Sequence, residues 1–106
     1  VVDYKSQIKE ETDMTHTVLR EWDKRLSWSS LLGYVPTTYD RLVERLGEPT
    51  FVGGDKTTVE WAIAFDDGKV ATVYDWKTYD TPMGTYDWHV GGHDHDVVER
   101  VHALLA

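Results

Sequence analysis

With 106 residues the chain has enough material for one domain with a single core and too little for two. It holds no cysteine, which excludes disulfides, thiolate metal sites and a cysteine nucleophile, and a reducing cytoplasm is the expected setting. Hydrophobic content of 41% argues against disorder, and a formal net charge of −8 opposes direct binding to nucleic acid, whose phosphates call for lysine and arginine.

Taken in order, residues 1–13 are polar, with only Val1, Val2, Tyr4 and Ile8 as apolar anchors. Met14 is a candidate internal initiator, so these residues are expected to be an N-terminal extension, with residues 14–106 forming a single α+β domain. No apolar run approaches the ~20 residues that a membrane span needs, and no signal-peptide pattern opens the chain, so no membrane association is expected. From Thr17 the pattern is helical: Val18, Leu19, Trp22 and Leu26 recur at steps of one, three and four, and Glu21 and Arg25 make an i,i+4 pair. That helix is predicted to end at Ser27-Trp28-Ser29-Ser30. Leu31 to Val35 then reads as a short apolar connector before Pro36.

Thr37 is a suitable N-cap, with Asp40 three residues on, and Tyr39, Leu42, Val43 and Leu46 fall on one face. Gly47 stands where a left-handed terminating residue belongs and Pro49 follows, so a helix is predicted over about Thr38 to Leu46. Val59, Trp61, Ile63 and Phe65 then alternate with Glu60, Ala62 and Ala64, the period of a strand. Asp67-Gly68 suits a two-residue type I′ turn, which would pair Phe65 with Val70, Ile63 with Thr72, Trp61 with Tyr74 and Val59 with Trp76. The opposite face would carry Ala62, Ala64, Ala71 and Val73, small enough for a helix to approach. It would also set Glu60 against Asp75, a like-charge pair that reads as a solvated strand end or as a small acidic site, with Lys77 or an arginine from elsewhere as its cation.

A polar loop punctuated by Pro82 and Gly84 leads to a third strand, in which Tyr86, Trp88 and Val90 alternate with Asp87 and His89 until Gly91-Gly92. A final helix is expected, capped by Asp94 or Asp96, with Val97, Val98, Val101, Leu104 and Leu105 as its buried stripe. The predicted fold class is α+β: a three-stranded antiparallel β-meander with N-terminal helices and a C-terminal helix packed on it.

His89, His93 and His95, with Asp94 and Asp96 between, are the residue types of a divalent metal site. Their H-x3-H-x-H spacing matches no strong motif, and both aspartates already serve a helix start. Ser27, Ser29 and Ser30 lie in no G-x-S-x-G elbow, and Gly53-Gly54 and Gly91-Gly92 form no phosphate loop. No enzyme and no cofactor is therefore expected. Five tryptophans remain the main signal. Trp61, Trp76 and Trp88 can fill the large face of the meander, whereas Trp28 and Tyr79 cannot, and aromatics outside a core are enriched at interfaces. Tyr74, Trp76, Tyr79, Trp88 and Trp28 are the candidate partner-binding residues.

The strings from Gly33-Tyr-Val-Pro through Leu46-Gly-Glu-Pro, then EWAIAFDDGKVATVYDWK and WHVGG, resemble small uncharacterised proteins encoded by bacteriophages and prophages, those of actinobacteria above all. The resemblance covers residues 31–92 and brings no catalytic motif. It implies a protein that binds a host protein and alters its activity. The helix–LGxP–meander order is also similar to small inhibitor and assembly domains of the BamE type, a likeness of fold that carries no function. The reading is a non-enzymatic binding protein, a modulator or inhibitor of a host protein with a basic surface patch. Two alternatives stand beside it: a small-ligand or nucleotide-binding protein with Trp and Tyr stacking on a base and the glycine pairs near phosphate, and a metal-dependent enzyme built on His89, His93 and His95.

Overall fold

In the computed structural model, which describes residues 15–106, the chain runs β1 (His16–Val18), a 3-10 turn (Lys24–Leu26), β2 (Ser30–Thr37), α1 (Tyr39–Leu46), β3 (Phe51–Val52), β4 (Val59–Phe65), β5 (Val70–Tyr74), β6 (Tyr86–Gly92) and α2 (Asp96–Leu105). The expected N-terminal extension, residues 1–13, lies outside the described residues. The strands make one antiparallel sheet in the order β1-β4-β5-β6-β2, and β3 pairs with β4 beside β1.

The fold is thus α+β with a C-terminal helix, but the three-stranded meander is the middle of a six-stranded sheet. The predicted helix from Thr17 does not form. Thr17 and Val18 pair with Ala64 and Ile63 on the open edge of β4, and Leu19 N–H donates to the Ala62 carbonyl at 2.8 Å. An unpaired sheet edge outweighs the modest helix preference of β-branched residues. Only Lys24–Leu26 coil, capped by the Asp23 carboxylate on Arg25 N–H. The expected connector at 31–35 is part of the edge strand β2, with an irregularity at Leu32 that breaks its alternation.

The hairpin turns on three residues. Gly68 N–H donates to the Phe65 carbonyl and Phe65 N–H to the Lys69 carbonyl, both at 2.9 Å, while Gly68 alone of residues 66–68 has positive φ, 92°. This is a type I turn closed by a left-handed glycine bulge, and it replaces the predicted type I′ turn. One extra turn residue slips the register by one and reverses the faces of β5. Trp61 pairs with Val73, Ala62 with Thr72 and Glu60 with Tyr74.

One face therefore presents Val59, Trp61, Ile63, Phe65, Ala71, Val73, Trp88, Val90 and Val35 to Leu42 and Leu46 of α1 and to Val97, Val101 and Leu105 of α2. The helices pack on this large-residue face and not on the small-residue one. Trp61 and Trp88 are fully buried with rings 5.8 Å apart, edge to face. Their indole N–H groups bracket α1: Trp61 Nε1 donates to the Gly47 carbonyl at 2.9 Å and Trp88 Nε1 to the Thr37 carbonyl at 3.2 Å. Thr38, one residue later than predicted, is the N-cap, its hydroxyl accepting from Arg41 N–H. Neither Asp94 nor Asp96 caps α2 through its side chain. The Asp96 carboxylate instead pairs with Lys69 and Arg100, both at 3.0 Å, and Arg100 also holds Asp67 at 2.7 Å. That network ties the hairpin turn to the start of α2.

Candidate functional site

The corrected register lays four side chains in one row across the other face of the sheet. Tyr34 on β2 pairs with His89 on β6, His89 with Tyr74 on β5, and Tyr74 with Glu60 on β4. The His89 ring lies 4.9 Å from Tyr34 and 5.3 Å from Tyr74, and Tyr74 is 6.2 Å from Trp76 just past the end of β5. Leu26, with Leu19 and Phe51 beside it, packs on Ala62 and Val70 and so covers one end of this face. The aromatic end stays open: Tyr34 is 49% exposed and Trp76 44%.

A groove of about 320 Å³ runs beside the row, lined by Ser29, Leu31, Glu60, Thr72, Tyr74 and Trp76. Gly91 lies in its floor, where a Cβ would come within 2.7 Å of the Thr72 hydroxyl and 3.4 Å of the Tyr74 ring. The missing side chain lets both residues settle across β6. Burial pushes the Glu60 carboxyl above its usual range, and among the described residues nothing donates to it or pairs with it. Burial, then the nearby Glu60 and Tyr34, raise the Tyr74 phenol. Burial lowers His89 and so favours the neutral imidazole, and among the described residues its buried Nδ1 has no hydrogen-bond partner. The face is aromatic, with one unanswered carboxylate.

The loop after β5 is anchored from below. Asp75 is fully buried and accepts from Thr58 N–H at 2.8 Å, the Thr58 hydroxyl at 2.7 Å, Val59 N–H at 3.3 Å and the Thr78 hydroxyl. Burial alone would raise its carboxyl, but these donors together hold it below the usual range. The predicted Glu60–Asp75 pair does not form, because the register slip puts Asp75 beneath the loop. Lys77 does not answer Glu60 either; its Nζ lies 5.9 Å from the Trp76 ring. With the loop pinned, Lys77 and Tyr79 take left-handed backbone, φ 55° and 66°, and Tyr79 is 96% exposed. Trp28 is also 96% exposed, at φ 66°. Such φ values are uncommon for aromatic residues.

Of the predicted partner-binding residues, Tyr74 and Trp76 meet on the open face and Tyr79 stands on the loop that follows. Trp28 lies over a second depression of about 490 Å³, with Lys24, Arg25, Lys69 and His93 around it. Trp88 is corrected: fully buried among the core residues, it presents nothing to a partner. The three histidines do not converge. His89 is in the sheet row, His93 Nε2 bonds the Arg25 carbonyl at 2.8 Å, and among the described residues no group of three or more His, Asp or Glu could hold a metal ion. Gly91-Gly92 is used inside the sheet, where a Cβ at Gly92 would meet the Val70 carbonyl at 2.9 Å. Sequence reasoning missed Tyr34 as a surface aromatic and set Glu60 aside; the available signal was Val35, whose apolar side chain turns to the core and so sends its strand neighbour Tyr34 to the other face. Among the described residues no helix is long and apolar enough to cross a membrane. No protein-family model, curated protein or solved structure matches the chain.

Proposed function

We propose that the chain is a non-enzymatic binding protein that docks a partner protein on the open aromatic end of its sheet, with the loop from Trp76 to Tyr79 as the second contact. The observation that carries this reading is the row Tyr34–His89–Tyr74 continued by Trp76, whose Tyr34 and Trp76 ends the described residues leave exposed, aromatic surface that a monomer would otherwise bury. Two further features support it. At the β2 edge of the sheet, Pro36 has no N–H to offer and the Tyr34 carbonyl is already bonded to His102 at 2.8 Å, so strand addition there is disfavoured and the face is the better docking surface. The net charge of −8 suits a partner with a basic patch. A host protein altered by a phage-type modulator, as the resemblance over residues 31–92 implies, is such a partner.

The test is affinity capture from an actinobacterial lysate at low and high salt, run in parallel with the wild-type chain and with folded Trp76→Ala and Tyr79→Ala variants. A protein retained by the wild type should be released by salt and bound about tenfold or more weakly by each variant. Retention within about twofold for both variants sinks the placement of the interface.

A further inference from the structure

We infer that the groove beside Tyr74 receives one cationic side chain of the partner, a lysine ammonium or an arginine guanidinium, with Glu60 as its counter-ion and the Tyr74 and Trp76 rings as its walls. The inference rests on the docking reading for its source of cations, and it adds what anchors the contact. Glu60 is the exception among the carboxylates that the fold perturbs. Asp23 has Arg25, Asp67 has Arg100, Asp96 has Lys69 and Arg100, and Asp75 has its ring of hydroxyl and amide donors. Glu60 lies half-buried at the β4 end of the row, beside Tyr74, and, among the described residues, has none of these. A carboxylate partly withdrawn from water with no protein donor is penalised, and a bound cation offsets that penalty.

The surroundings select the same ligand. Aromatic faces attract ammonium and guanidinium groups, most strongly where water is partly excluded. Lys77 Nζ already lies 5.9 Å from the centre of the Trp76 ring, so the ring is within reach of cations, yet its ammonium makes no ion pair with Glu60. The volume of about 320 Å³ is at the lower end of the roughly 300–1,000 Å³ of small-molecule sites, room for one long side chain and little more. An anion or phosphate would meet the Glu60 charge, and among the described residues that line the groove there is no lysine or arginine to receive it.

The experiment titrates ¹⁵N-labelled protein with N-acetyl-arginine methylamide, N-acetyl-lysine methylamide and the uncharged N-acetyl-norleucine methylamide. Saturable shifts are expected at Glu60, Thr72, Tyr74, Trp76 and Gly91 with the charged probes, at a Kd on the order of millimolar, and not with norleucine. Glu60→Gln, which removes an unpaired charge and should fold, is expected to weaken the charged probes by about tenfold. Trp76→Leu is expected to weaken them several-fold. Equal binding of norleucine, unchanged binding by Glu60→Gln, or no saturation with any probe overturns the inference. The two readings fail apart: a captured partner lost with Trp76→Ala but held by Glu60→Gln keeps the docking face and removes the cation anchor. Probe binding that needs Glu60, with partner capture indifferent to Trp76 and Tyr79, leaves a cation site without the docking face.

Discussion

At the scale of single residues, the surface aromatics are held in place at a cost in backbone strain. Tyr79 and Trp28 occupy left-handed backbone that glycine adopts freely, and each such non-glycine residue carries about 1 kcal/mol of strain. Tyr79→Gly is therefore expected to leave stability unchanged or raise it by up to about 1 kcal/mol in urea melts, while partner retention falls. A loss of stability would mean that Tyr79 packs on the fold and is not simply displayed. Asp75 does the opposite work. Replacing it with Asn keeps one oxygen for the Thr58 and Val59 amides but puts an NH2 donor where the Thr58 and Thr78 hydroxyls donate, and should cost about 2–3 kcal/mol by denaturant melt, loosening the loop that carries Trp76 and Tyr79. Glu60 is a residue the fold would be better without. Its carboxyl is raised in the folded state, so ionisation costs stability once pH rises above the usual value of 4.5 towards the folded one, and Glu60→Gln should raise Tm at pH 7 and not at pH 3.

At the scale of elements, the strong periodic signals were legible and the weak ones were not. The alternation in β4 and β6, the capped stripe of α1 and the apolar stripe of α2 each extend over at least seven residues, enough for a pattern to stand out. β1 is three residues long, too short for any period, and its strand state comes from β4 across the sheet. In β2 a bulge at Leu32 and Pro36 near the end disguised an edge strand as a connector. The hairpin was the costliest misreading, since Asp66-Asp67-Gly68 supports either turn and only the choice between them decides which face Tyr74 and Trp76 occupy. The candidate site was legible as a set of aromatics; its position, its neutral histidine and its unpaired glutamate were not. Helix α1 yields the clearest packing prediction. Trp61→Ala removes a fully buried ring and the donor to the Gly47 carbonyl, so a loss of about 3–5 kcal/mol is expected, enough to unfold a marginal domain at 37 °C by circular dichroism.

At the scale of the whole molecule, acid should unfold the protein through a few named carboxylates. The Arg100 guanidinium, bonded to Asp67, holds that carboxyl down at about 2 against an ordinary 3.8, and Lys69, bonded to Asp96, lowers Asp96 as well. A folded pKa below the unfolded one stabilises above the unfolded value and is lost as pH falls through the folded one. Tm should therefore drop between roughly pH 4 and 2, and Asp67→Asn should flatten that drop while leaving the neutral-pH site unchanged. The division of the five indoles has an optical consequence. Trp61 and Trp88 are sealed against water, whereas Trp22, Trp28 and Trp76 are 61%, 96% and 44% exposed. Iodide should quench the red-emitting set and spare the blue one, so a partner that covers the open face would shield Trp76 from the quencher with the emission of the core pair unmoved. Unfolding would expose that pair and leave one red-shifted population. Steady-state fluorescence can thus separate occupancy of the face from loss of the fold in a single cuvette, with no label attached.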